Sequence, residues 1–351
     1  MSKISFPKLA DYDVPITYLI SHISKKEIIN PPNISNKTIE IGSKYSPEFI
    51  CTPFKYTLGS LIEAIEKGAN ILIQIGGGCR YGYYSNLQNQ ILKDLGYNIK
   101  IYNLITAGKC DFKRLYKLVK EIEPKINIFK SLYYLLITIN MVKYMDKIDN
   151  YIRENVGFEI ENKSFENLKK EMLDKFSKVK SNIGLYLLYK KYKKKFKQLK
   201  INKPENCFKI GIIGELYTVM EPFSNYFLEK ELAKYNISIK RFTNANYLLF
   251  NKRKVIKKTK KYTKYKLTAD ASSNIYWANY LCSNNYDGII HIKSSFCTPE
   301  IGIIPILKTI SSNYDVPIIF MSFDSNTSEV GIKTRIEAFV DMIEMRKNKC
   351  I

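Results

Sequence analysis

The spacing of apolar residues divides the chain into three stretches of different character. Over residues 49–104, helix and strand patterns alternate. Leu58, Leu61, Ile62 and Ile65 recur at helical spacing, and Gly68 supplies a stop. Residues 71–75 form a short apolar run suited to a strand buried on both faces, ended by Gly76-Gly77-Gly78. Leu87, Ile91 and Leu95 make a second helical stripe closed by Gly96, and 99–104 reads as the next strand. Such alternation implies a parallel sheet with helices on its faces.

Residues 109–203 are helical in pattern, poor in Gly and Pro, and rich in Lys, Glu and Tyr. From Phe208 the alternation returns. Strands are predicted over 209–213, 237–242, 288–293 and 316–323, and helices over 223–235, 271–283, 299–312 and 332–346. The basic stretch 251–266 reads as a loop. The expected fold is α/β, with two lobes of parallel sheet flanked by helices and joined by a helical middle segment. The N-terminal lobe spans 1–108, the helical insertion 109–206 and the C-terminal lobe 207–351.

Composition changes this picture in two respects. Of the 351 residues 45% are apolar, enough to give each lobe a core. Lys and Arg number 56 against 33 Asp and Glu, a net charge of +23 that invites nucleic acid, an acidic membrane or an anionic cofactor. The excess is nearly all Lys, amid abundant Ile, Asn and Tyr, so charge alone selects no partner. Residues 1–18 lack a basic segment followed by an apolar run, and the longest membrane candidate, 131–142, is too short and contains Tyr and Asn. A cytoplasmic protein with free thiols and no membrane partner is expected.

Three of the seven cysteines share a local setting. Cys51 opens Cys51-Thr52-Pro53 before the first helix, and Cys79 follows the first strand and its glycine run. Cys297 opens a second Cys-Thr-Pro, Cys297-Thr298-Pro299, after the strand at 288–293. Proline two places on suits the first turn of a helix, where its missing N–H costs nothing. Unpaired N–H groups and the dipole at a helix start favour a thiolate, and ligands gather outside the carboxyl ends of parallel strands. Three thiolates could hold an iron–sulfur cluster by three corners. Lys55 and Arg80 would offset its charge. Buried, inert thiols are the plainer reading of any three cysteines.

Longer matches shift that balance. Ser46-Pro47-Glu48-Phe49-Ile50-Cys51-Thr52-Pro53-Phe54-Lys55, Gly68-Ala69 and residues 76–84 resemble the 2-hydroxyacyl-CoA dehydratase superfamily and its activase-related, double-cubane-like relatives. So do Gly211-Ile212-Ile213-Gly214-Glu215-Leu216-Tyr217, Phe296-Cys297-Thr298-Pro299-Glu300 and Thr334-Arg335-Ile336-Glu337-Ala338-Phe339. The likeness is weakest through the helical middle. It implies cysteine-ligated iron–sulfur clusters and low-potential electrons from an ATP-dependent activase. In the dehydratases these serve radical removal of water from a 2-hydroxyacyl-CoA.

On that basis Cys51, Cys79 and Cys297 are the expected metal ligands. Lys55, Arg80, Glu215, Tyr217 and Glu300 are placed around the cluster or substrate. One four-iron four-sulfur cluster is preferred to a double-cubane cluster, because double-cubane relatives use more than three cysteines. An acyl-CoA substrate and lyase or reductase chemistry follow from the resemblance, as does a sister subunit or second copy, since the dehydratases pair two related chains. Asp324-Ser325-Asn326-Thr327 stands where many relatives carry an acidic–histidine pair, and no acid–base pair is assignable. The alternative is a non-catalytic redox partner or scaffold of an activase system.

The remaining features read as structural. Cys110, Cys207, Cys282 and Cys350 lack the shared context, and Cys282 lies on a helical stripe with Trp277 and Leu281. Gly211-Ile212-Ile213-Gly214 lacks a complete nucleotide fingerprint, so autonomous ATP binding is not expected. Glu215 and Tyr217 divide evenly between a site role and helix capping. His22 and His291 read as satisfied structural histidines. The lysine run 190–200, with Tyr192 and Phe196 interleaved, reads as a solvated helix face anchored by its aromatics. Nucleic-acid binding is the minority reading, both for this run and for the chain. The stretch 252–266 would steer CoA phosphates or be a solvated loop.

Overall fold

The structure is a computed structural model and describes residues 2–105, 111–251, 255, 257–259, 262–263 and 267–349. Cys110, Cys350 and most of the basic stretch 252–266 lie outside the described residues. The chain divides into two compact units, Met1–Asn140 and Met141–Ile351. Each is built on a four-stranded, all-parallel sheet flanked by helices.

The first unit contains β1 (Lys3–Ser5), α1 (Asp13–Ile23), β2 (Glu27–Ile28), α2 (Asn36–Tyr45), α3 (Thr52–Glu66), β3 (Ile71–Ile75), α4 (Tyr84–Asp94), β4 (Lys100–Ile105) and α5 (Phe112–Ile122). Its strands lie in the order β2-β1-β3-β4. Leu72 of β3 packs among Phe54, Leu58 and Leu61 of α3 and Leu92 of α4. Ile71 and Ile73 face the other way, toward Ile4, Ile20 and Ile122. Burial on both faces is why the strand reads as a continuous apolar run. α2 and α3 cross so closely that a Cβ on Gly42 would sit 1.8 Å from the Lys55 carbonyl oxygen, and one on Gly59 1.9 Å from that of Thr38. This crossing fixes the first turn of α3.

α6 (Ile128–Asn155) begins in the first unit and ends in the second, followed by α7 (Ser164–Ser177) and α8 (Asn182–Gln198). These helices occupy the stretch expected to be helical. On α8, Tyr192 and Phe196 are buried while Lys190, Lys191, Lys193, Lys194 and Lys197 are exposed, the anchored and solvated face read from the pattern.

The second sheet comprises β5 (Lys209–Gly214), β6 (Ser238–Arg241), β7 (Gly288–Ser294) and β8 (Ile318–Phe323), in the order β6-β5-β7-β8. Ile213 and Ile289 pack under α11 (Ala271–Cys282) and α12 (Thr298–Tyr314). Ile210, Ile212, Ile290 and Ile292 pack on the opposite side, against α10 (Leu228–Ala233) and α13 (Glu329–Lys349). A short helix, α9 (Leu216–Met220), follows β5 directly. Gly214, at φ +145°, closes that strand where a Cβ would lie 1.8 Å from the Ile292 carbonyl oxygen. Its role is this close approach of backbones.

Two features depart from the predicted elements. The helix expected over 223–235 is broken, because Tyr226 and Phe227 both take left-handed backbone conformations at φ 55°. The Asn225 side chain then accepts the Leu228 N–H at 3.1 Å and restarts the helix as α10. The first 45 residues contribute α1, α2 and two sheet strands of only three and two residues, too short to show a period.

Candidate functional site

In a sheet of order 2-1-3-4 the connections leave the two middle strands in opposite directions. This opens a crevice beyond their carboxyl ends. In the first unit the crevice lies beyond β1 and β3, and in the second beyond β5 and β7. The cysteines singled out by sequence cluster at these ends.

Cys79 caps the 3-10 turn Arg80–Tyr83 that leads from β3 into α4, and the Tyr81 N–H donates to its sulfur at 3.5 Å. Cys51 caps α3, with Pro53 in the first turn. The Tyr84 hydroxyl is hydrogen-bonded to the Cys51 sulfur, and the Tyr81 and Tyr84 rings pack at 4.7 Å. The two cysteines are thus brought to one end of the first sheet through a shared tyrosine pair. Both are half-buried and neither is in a disulfide. Lys55 is buried one turn along α3, and Arg80 is exposed beside Cys79. Behind them, neither amide atom of buried Gln74 has a hydrogen-bond partner among the described residues, and nor does Oδ1 of its neighbour across the sheet, Asn103.

Cys297 is the equivalent cap in the second unit, where it closes the loop after β7 and starts α12. Its N–H donates to the Ser294 carbonyl at 3.0 Å, and Ser295 ties the loop to Asp324 at 2.9 Å. By place in the sheet Cys297 corresponds to Cys79, since each follows the third strand of its unit in chain order. Cys51, which shares the tripeptide Cys-Thr-Pro with it, stands before the third strand instead. Burial holds Lys293, on the last turn of β7, below the ordinary ammonium range, against the opposing pull of Cys297, Glu300 and Asp324.

Glu215, beyond β5, accepts the Tyr217 and Thr218 N–H groups at 2.8 and 2.9 Å and the Thr218 hydroxyl at 2.6 Å. It caps α9. Burial nevertheless pushes its carboxyl up to about 7, against those hydrogen bonds. Tyr217 is buried. Glu300, in the first turn of α12, is buried and its Oε2 lies 2.8 Å from His291 Nε2 and 2.9 Å from Asn274 Nδ2. Asn274 also donates to the Gly214 carbonyl at 3.0 Å, so one network joins β5, β7, α11 and the helix that Cys297 caps. His291 is therefore not fully satisfied: its Nδ1, and the second Glu300 oxygen, have no hydrogen-bond partner among the described residues. The pairing partner stands nine residues on, across a strand-to-helix turn that no periodicity reveals. His22 is structural as expected, with Nδ1 2.7 Å from the Tyr18 carbonyl oxygen.

Within neither unit do three His, Cys, Asp or Glu side chains of the described residues gather as a metal site. The donors on offer are thiols at helix starts, two at the first crevice and one at the second, and soft sulfur ligands suit iron–sulfur chemistry. Among the described residues no helix is long and apolar enough to cross a membrane.

The fold and the caps together define a two-unit, doubly wound α/β protein with cysteines at its strand ends. Residues 185–343, just under half of the chain, match the family model of the 2-hydroxyglutaryl-CoA dehydratase D-component. That match takes in the second sheet, Glu215, Glu300 and Cys297, and supports the resemblance of this part of the chain to the 2-hydroxyacyl-CoA dehydratase superfamily. No curated protein matches the chain.

Proposed function

We propose that this protein is a cytoplasmic iron–sulfur component of a 2-hydroxyacyl-CoA dehydratase system, with Cys51, Cys79 and Cys297 as ligands of a four-iron four-sulfur cluster. The observation that carries this reading is that all three thiols are half-buried helix caps in a chain whose second unit matches a dehydratase component. Such a cluster, when bound, supplies one-electron reduction at low potential, with an ATP-dependent activase as the electron source.

The chain's own residues have separate tasks. The first backbone N–H groups of each capped helix favour thiolate over thiol. Lys55 and Arg80 offset the negative charge at the first crevice. Glu300 holds the first turn of α12, and so the Cys297 backbone, through His291 and Asn274. Glu215 keeps a carboxyl proton close to neutral pH beside the second crevice, where it can be passed to a leaving oxygen. The lysine excess favours the phosphates of an acyl-CoA, and a sister chain or second copy completes the assembly.

Anaerobic reconstitution with iron and sulfide is the test. Brown protein carrying iron and sulfide is expected. Cys51→Ser, Cys79→Ser and Cys297→Ser should each lose most of the bound iron and the visible absorption, while Cys282→Ser keeps both. A colourless, iron-free protein after reconstitution would end the proposal.

A further inference from the structure

The Tyr84 hydroxyl reaches the Cys51 sulfur from the interior of the first unit. Tyr84 is 3% exposed. Its ring packs edge-on against Phe54 at 4.9 Å and tilted against Tyr81 at 4.7 Å between centroids. Its backbone is held as well, since its N–H donates to the Tyr81 carbonyl where the 3-10 turn passes into α4. Ring contacts and backbone together fix where the hydroxyl points. Among the described residues the Cys51 sulfur is its hydrogen-bond partner. A buried phenol keeps such a partner, because a bare O–H among aromatic rings is costly.

We propose that Tyr84 tunes the reduction potential of the cysteine-ligated site by donating its hydroxyl to the Cys51 sulfur. The inference rests on the reading of Cys51 as a ligand of an iron–sulfur cluster. A ligating cysteine is a thiolate and has no proton to give, so Tyr84 is then the donor and the sulfur the acceptor. One added electron increases the negative charge that the sulfurs share. An O–H dipole aimed at one of them therefore favours the reduced state over the oxidised one. Burial of the phenol strengthens the effect, since little water competes for the sulfur. The phenol keeps its proton in both states, and the electron comes from the activase in the working protein and from the electrode in a titration. Cys79 also receives a hydrogen bond, at 3.5 Å, but from the Tyr81 backbone N–H, which is present whatever the side chain. Tyr84 is the donor that substitution can remove: phenylalanine keeps the ring and its packing and lacks only the hydroxyl.

Spectroelectrochemical titration of the anaerobically reconstituted full chain, followed by visible absorption, is the experiment. It compares wild type, Tyr84→Phe and Tyr83→Phe, the last a neighbouring tyrosine that is 60% exposed. All three proteins should bind the same amount of iron. At the wild-type midpoint the reduced-to-oxidised ratio of Tyr84→Phe should be lower by about threefold to tenfold, a midpoint about 30–60 mV more negative for a one-electron couple. Tyr83→Phe should titrate with the wild type. Equal midpoints for wild type and Tyr84→Phe overturn the proposal, because a ring that only packs would leave the potential where it was. So does a shift that Tyr83→Phe reproduces. A Tyr84→Phe protein that binds no iron overturns it too, by making the hydroxyl a requirement for assembly. A colourless wild type is a different failure. It ends the cluster reading and this proposal together, whereas brown proteins of equal potential end this proposal alone.

Discussion

Glu215 has a carboxyl that titrates near 7 in the folded chain against an ordinary value of 4.5. Between those values the folded chain keeps a proton that the unfolded chain has released. Stability contributed by this residue is therefore present below pH 4.5, falls as pH rises, and is lost above the folded value. The difference in melting temperature between wild type and Glu215→Gln should accordingly change across this window in favour of the variant. A constant difference would show that the residue does not titrate there. For Glu300→Ala, which strips His291 and Asn274 of their shared buried acceptor, a loss of about 3 kcal/mol is expected in urea unfolding. Of these groups, Glu215 and Glu300 were visible in the sequence through the motifs around them. Asn274, Gln74 and Asn103 were not, because an amide inside an apolar pattern gives no local signal of where it points.

At the scale of elements, what the chain discloses depends on length. β3, β5 and β7, each five to seven residues and buried on both faces, stand out as apolar runs. β1 and β2 do not, since two or three residues have no measurable period. The break at Tyr226 and Phe227 was equally hidden, because two aromatic residues in left-handed backbone carry neither glycine nor proline to mark it. α8 gives a direct check on the reading of its lysines. Phe196→Ala should cost about 3–5 kcal/mol, whereas Lys194→Ala should leave the unfolding midpoint unchanged. The α2–α3 crossing is the stricter case. Gly59→Ala would drive a methyl group into the Thr38 carbonyl and is expected to cost about 1–3 kcal/mol by the same measurement.

For the whole molecule, two sheets and a helical middle were legible because hydrophobic period survives without any knowledge of partners. The candidate site was legible only as three separate cysteine settings, since strand order is a long-range property and decides which of them correspond. The charge of +23 acts at this scale too. Affinity for DNA should fall steeply with salt and show no sequence preference, as measured by fluorescence anisotropy on unrelated duplexes. The strand order also bears on ancestry. If the two units descend from one duplicated half, the positions that share an ancestor are those at the same station in the sheet, Cys79 and Cys297. Cys51-Thr52-Pro53 stands one step earlier, before the third strand instead of after it, so under that descent its likeness to Cys297-Thr298-Pro299 is not inherited from the shared half. Cysteine at the N-cap position with proline in the first turn begins a helix at two stations of the fold that do not correspond.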